Sequence, residues 1–253
     1  MSEFRRVFIF LAAYDEVTSL RDTVHALQIA CNPQLVARIC ICFPARATAA
    51  CKAEIHRLAG QEFLIPVTAN QEATPGGNFA HDFPAIVVAN DDCSHCLIWT
   101  ADQDAPAELA AQMIEQAALH PTAVVKLSRF LPGGSLPASK RGFINWRDAT
   151  FRRLVILLYH SKQTDPHFGL TLFPAAPFLR FDLRERFMAF TLEYVLCFER
   201  MGAPFVEIPL HQQVRPEGKS SLKVKHKLRY FVPLLRLRFC RRHKIFKRGA
   251  AHD

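Results

Sequence analysis

Long apolar runs are what this 253-residue chain most lacks. The longest, such as Leu154 to Tyr159 and Ala85 to Ala89, fall far short of the roughly 20 residues needed to span a bilayer as a helix, so the sequence holds no transmembrane helix. A secretory exit is missing too. Arg5-Arg6 followed by Val7 to Ala13 imitates a signal peptide, but the run is short and passes directly into Tyr14-Asp15-Glu16, so it reads as a buried first strand. Cys93-Ser-His-Cys96 has no second C-x-x-C pair at zinc-ribbon spacing, which argues against a structural zinc site. Eight irregularly spaced cysteines without an export signal read as reduced thiols of the cytosol. There is no internal repeat and no low-complexity linker. Half of the residues are hydrophobic, enough for a full core and too many for a disordered chain.

Charge is what the chain has in excess. A net charge of +9 points to an anionic partner: nucleic acid, a phosphorylated substrate or an acidic membrane surface. The excess is concentrated in residues 219–253, where Lys223, Lys225, Lys227, Arg236, Arg238 and Arg241 alternate with Leu228, Phe231, Leu235 and Phe239. Bulky apolar residues beside Lys and Arg on one helix suit the headgroup layer of an anionic membrane; a basic tail packed on the domain fits the same residues. Nucleic acid is disfavoured, because the aromatics lack the spacing of a base-stacking sheet and no helix-turn-helix pattern stands out.

Short apolar runs alternate with helical patterns through the first half, as in an α/β fold with a mostly parallel central sheet. Residues 7–12, 36–43, 63–67, 96–100 and 123–128 read as strands, and 16–30, 45–58, 79–88 and 106–119 as helices. The second half is less regular: a Gly/Pro-rich loop at 132–137, helices near 146–160 and 187–201, and a short strand at 205–208. This divides the chain into a domain at 1–218 and a basic helical extension at 219–253.

The run Cys96-Leu-Ile-Trp-Thr-Ala breaks into Asp102-Gln-Asp104 and then Pro106. Two carboxylates fixed at the end of a buried strand cost desolvation and repel each other, which a divalent cation offsets. Mg2+ or Mn2+ takes hard oxygen ligands, usually one or two carboxylates completed by water and substrate phosphates. The competing reading is a loop in which one Asp caps the next helix. Placement favours the metal, since an open parallel sheet binds its ligands beyond the carboxyl ends of its strands, where Ala12, Tyr14, Asp15 and Glu16 also fall.

These residues resemble the family 2 glycosyltransferases, and within them the non-processive dolichyl-phosphate mannose synthases and polyprenyl-phosphate sugar transferases. Ala12-Ala-Tyr14-Asp15-Glu16 resembles the Pro-x-Tyr-Asn-Glu turn that holds base and ribose. Gly76-Gly77-Asn78 is similar to a glycine-rich helix entry, and Asp102-Gln-Asp104 to the Asp-x-Asp signature. Leu127-Ser128-Arg129-Phe130, Asp165-Pro-His-Phe168-Gly169, Phe190-Thr-Leu-Glu193, Val206-Glu-Ile-Pro209 and Arg215-Pro-Glu-Gly218-Lys219-Ser220 match the later motifs in order. Where the family carries Asp-Gly-Ser after the second strand, this chain has Cys42-Phe43-Pro44-Ala45-Arg46, with no carboxylate to read the base.

The resemblance implies a Rossmann-like GT-A fold and a metal-dependent, inverting hexosyltransferase using a nucleotide-diphosphate sugar. Asp102 and Asp104 would bind Mg2+ or Mn2+, while Ala12, Tyr14, Asp15, Glu16, Gly77, Asn78 and Asp102 would hold the donor. Asp104, Arg129, Asp165, Glu193 and Arg215 would act at the reacting groups. A polyprenyl phosphate or other lipid-linked acceptor needs no general base, whereas a saccharide hydroxyl would need Asp165 or Glu193. The processive relatives' Gln-x-x-Arg-Trp is absent, which favours the phosphate. A non-catalytic nucleotide- or membrane-binding relative is the third reading. The expected location is cytoplasmic, peripheral at the inner face of the membrane.

Overall fold

The computed structural model describes residues 3–71, 92–137, 143–166, 168–185, 189–214 and 229–247, with the backbone alone over 143–148 and 242–243. Seven strands form one sheet: β1 (Arg6–Ala12), β2 (Val36–Phe43), β3 (Val67–Gln71), β4 (Cys93–Thr100), β5 (Val124–Ser128), β6 (Thr171–Pro174) and β7 (Phe205–Pro209). Their order is β3-β2-β1-β4-β6-β5-β7. All pairings are parallel except those of β6, which runs antiparallel between β4 and β5.

The apolar strands are covered on both faces, and their alternation sorts side chains between two cores. Val7, Ile9 and Leu11 join one cluster with Ile39, Ile41, Leu97 and Trp99; Phe8 and Phe10 join the other with Cys40, Cys42, Cys96 and Ile98. The first core is closed by α1 (Thr18–Ala30), α2 (Ala49–Ala59) and α3 (Glu108–Leu119), each with an apolar stripe. In α3 that stripe is Ala110, Met113, Ile114 and Ala117, the three- and four-residue spacing of a helix with one buried side. The second core is closed by α4 (Phe143–Tyr159), α5 (Ala175–Arg180), α6 (Ala189–Met201) and α7 (Phe231–Phe239). It is largely aromatic: the Phe173 ring lies 4.7 Å from that of Phe178 and 5.1 Å from that of Tyr194.

Several boundaries differ from the sequence reading. The third strand runs over 67–71 rather than 63–67, because Pro66 has no N–H for a ladder. Ile65 is buried without being a strand residue, since its backbone N–H and C=O are taken by the Gln28 side chain. The second helix begins at Ala49 rather than Ala45, capped where the Thr48 hydroxyl accepts from Cys51 N. β6 and α5 have no counterpart in the sequence reading. The helix expected over 79–88 lies outside the described residues.

Residues 229–247 of the basic segment pack onto the second core. Leu234, Leu237 and Ile245 are buried, Tyr159 donates to Leu234 O at 2.7 Å, and Lys247 N donates to Arg180 O at 2.8 Å. No described helix is long and apolar enough to cross a membrane.

Candidate active site

The carboxyl ends of β1, β4, β5 and β7 converge through backbone bonds. Ala101 N donates to Ala12 O and Ala13 N to Cys42 O, both at 3.0 Å, pinning the turn after β1 between its two neighbours. Within that turn, Glu16 Oε2 accepts from Tyr14 N at 2.7 Å and from Asp15 N at 3.1 Å. Asp15, exposed, accepts from Thr48 N at 3.3 Å, tying the turn to the start of α2. Beyond β2, Pro44 accepts from Ala47 N in a tight turn, and the segment Phe43-Pro44-Ala45-Arg46 offers no carboxylate.

At the end of β4, Asp102 and Asp104 are both more than nine-tenths buried. The Thr100 hydroxyl donates to Asp102 Oδ1 at 2.7 Å. Gln103, between the two acids, has φ 55°, a left-handed conformation that a non-glycine residue rarely adopts. The chain after β7 reaches this loop, where Gln213 N donates to Asp104 O at 3.0 Å. Among the described residues no group of three or more His, Cys, Asp or Glu side chains is placed to hold a metal ion. Asp102 and Asp104 both offer carboxylate oxygens, the hard ligands that Mg2+ or Mn2+ shares with water and phosphate.

The loop after β5 is zipped to the chain after β7. Leu210 N donates to Ser128 O, Ser135 N to Leu210 O, and Gln212 N to Ser135 O. Gly134 is required here: a Cβ would stand 2.7 Å from Ser128 O. Arg129 follows β5, and its Nε and one terminal nitrogen donate to Asp165 at 2.7 and 3.0 Å. Its guanidinium also lies 4.6 Å from the Phe168 ring centroid. Asp165 has no exposed surface, so the structure joins these two sequence-predicted residues as one buried ion pair.

Beneath that pair, Lys126 is wholly buried and donates to Pro166 O at 2.9 Å. Burial pushes its pKa down to about 8, opposed by the charges of Asp165, Glu207 and Glu199. Glu207 holds the 164–165 backbone, accepting from Thr164 N and Asp165 N. Lys126, Thr164 and Thr100 were not singled out in the sequence. The available signal for Lys126 was one lysine interrupting the apolar run Val124-Val125-Lys126-Leu127.

Glu193 belongs to a different cluster. Its carboxylate accepts from Arg184 N, Glu185 N and the Arg236 guanidinium. Burial raises its pKa, and those two amides and Arg236 oppose the rise. Arg200, on the same helix, is not its partner. Arg200 instead donates to the carbonyls of Leu237, Arg238 and Cys240, because the end of α7 crosses its side of α6. Gly77, Asn78 and Arg215 lie outside the described residues.

No family model matches the chain, and no curated protein matches it. Solved structures do. The glucosyl-3-phosphoglycerate synthase of Mycobacterium tuberculosis, in complex with Mn2+, uridine diphosphate and phosphoglyceric acid, is similar over 93% of this chain and 79% of its own, with a TM-score of 0.68 and 11% identity. The same synthase with Mn2+, UDP-glucose and phosphoglyceric acid gives a TM-score of 0.66 at 12% identity, over 92% and 80% of the two chains. A structure described as a mycobacterial protein gives 0.65 at 14% identity, over 92% and 74%. The chain therefore has the GT-A nucleotide-diphospho-sugar transferase fold.

Proposed function

We propose that this protein is a metal-dependent, inverting glycosyltransferase that moves a sugar from a nucleotide-diphosphate donor to a polyprenyl phosphate or another lipid-linked phosphate at a membrane surface. The observation that carries the reading is the buried Asp102/Asp104 pair on a left-handed turn at the end of β4, directly beside the turn that ends β1. Their oxygens suit Mg2+ or Mn2+, which when bound neutralises charge on the leaving diphosphate. Ala12, Tyr14, Asp15 and Glu16 hold the nucleoside. The carboxylate of Glu16 closes the turn in advance, so little ordering is left for the ligand to impose.

The acceptor class follows from the other acids. Asp165 has both oxygens on Arg129, and Glu193 has its own on two amides and Arg236, so we assign both to positioning rather than to proton transfer. An ionised phosphate needs no base. One of its oxygens forms the new bond to the anomeric carbon as the bond to the diphosphate breaks, on the opposite face and with no proton moved. Arg215, from the segment after β7, supplies positive charge for the phosphate groups, while Arg129, held by Asp165, positions the loop after β5. Neighbouring structures carry uridine diphosphate and phosphoglyceric acid, which makes a uridine donor the first to try and phosphoglyceric acid the competing acceptor.

The test is transfer from a panel of labelled nucleotide sugars, with Mn2+, to polyprenyl phosphate, phosphoglyceric acid or free saccharide. The expected product partitions with the lipid and has the inverted anomeric configuration by NMR. Product on phosphoglyceric acid or a saccharide alone, or none with any donor, would overturn the acceptor assignment or the enzyme reading respectively.

A further inference from the structure

The helix α7 presents opposite faces of the same apolar character. Pro233, Leu234 and Leu237 are buried against the second core. Phe231, Val232, Leu235 and Phe239 are 39%, 52%, 48% and 77% exposed. At about 100° per residue these four fall within an arc of about 100° on the outward side. A helix that only closes a core places polar residues there. Large exposed apolar groups gathered on one face mark a contact surface.

Charge identifies what that surface contacts. Arg238, Arg241, Lys244 and Lys247, all exposed, lie on α7 or in the turn that follows it, within a chain of net charge +9. Arg236, at the edge of the apolar arc, is turned inward to Glu193, so this cation is withdrawn from the face and the apolar strip is left broad. Basic residues flanking a strip of Phe, Val and Leu match an anionic bilayer, whose headgroups attract the cations while the rings enter the acyl boundary.

We infer that the outward face of α7 is a docking surface for an anionic lipid bilayer. The helix lies in the headgroup plane, anchored on its other side by Leu234 and Leu237, so the folded domain is held at the surface without spanning it. The inference rests on the proposed lipid-phosphate acceptor only for its purpose, because vesicle binding is measured without any transfer step.

The experiment is co-sedimentation of the full chain with vesicles of neutral lipid and with vesicles containing about a third phosphatidylglycerol. Binding is expected to the anionic vesicles only. It should weaken as salt rises from about 0.1 to about 1 M, where the Debye length shrinks from about 10 to about 3 Å. Phe231→Ser and Phe239→Ser should each weaken partitioning about tenfold, whereas Leu119→Ser, 70% exposed but on α3, should bind like the parent. Phe239 and Leu119 are well exposed, and Phe231 gives up only an edge-on contact with the Phe151 ring; melting temperatures verify that the variants fold. Equal binding to neutral vesicles, parental binding by the Phe231→Ser/Phe239→Ser variant, or a dimer that this variant dissociates while vesicles are ignored would each overturn the inference. A vesicle-bound protein inactive on lipid phosphate would sink the acceptor reading alone. One active on detergent-dispersed lipid yet never vesicle-bound would sink the docking surface alone.

Discussion

The half of the chain from β1 to α3 and the half from β5 to α7 spend their charged groups differently. In the first, Leu20, Val24, Leu27, Ile55 and Met113 close the core, and acids collect at the strand ends as Asp15, Glu16, Asp102 and Asp104. In the second, acids sit inside and are matched by guanidinium groups: Asp165 by Arg129, Glu193 by Arg236 and Glu185 by Arg229. The first half can afford to place carboxylates at the crevice because its helices are held by aliphatic packing. The second half must hold long loops and a basic C-terminal segment, and its carboxylates do the holding. Under the proposed function, a carboxylate near the crevice is thus a ligand in one half and a structural tie in the other, although the sequence motifs look alike.

The strongest way to break this contrast is at Arg129 and Asp165. Asp165→Asn leaves a buried guanidinium without its counter-charge, and chemical denaturation should show a loss of about 3–5 kcal/mol. The double variant Arg129→Met/Asp165→Leu should recover much of it, since removing both members of a buried pair costs less than removing one. A negligible loss in Asp165→Asn would mean that this acid is not a structural tie.

A smaller effect sharpens the other side. Glu54, the structural acid of the first half, binds Arg21 and Arg57 on the half-exposed seam between α1 and α2. Hydrogen bonds from Arg57 and then Arg21 hold its pKa down from 4.5 to about 2. A carboxylate with a depressed folded-state pKa contributes stability that is fully present above pH 4.5 and is lost as pH falls toward 2. Glu54→Gln should therefore lower stability by about 1 kcal/mol at pH 7, where both arginines are partly solvated, and by much less at pH 3. An equal deficit at both pH values would show that packing, not charge, is what the substitution removes.

How far the sequence could be read follows the same division. β1, β2 and β4 are legible because strands covered on both faces are continuous apolar runs, and Asp102 and Asp104 are legible because they interrupt one. β6 is four residues ending in Pro174 and pairs with β4 across more than seventy positions, a relation that local pattern does not carry. The Glu193–Arg236 pair is not legible for the same reason: the two residues stand 43 positions apart, and only the return of the chain over α6 brings Arg236 to the carboxylate. The sequence points to Asp165 as a candidate site residue but not to its attachment to Arg129, because two residues 36 positions apart meet through a sheet whose order the sequence leaves open.

The central claim is that Asp102 and Asp104 receive a diphosphate through a divalent ion, and thermal unfolding with uridine diphosphate and Mn2+ tests it most directly. At a hundredfold excess over the dissociation constant, bound ligand stabilises by about 2.7 kcal/mol, roughly 5–10 °C for a chain of this size. The parent should show that rise with both ligands and little with uridine diphosphate alone, while Asp104→Asn should unfold at the parent's unliganded temperature and gain almost nothing. An equal rise in Asp104→Asn, or one indifferent to Mn2+, would contradict the account.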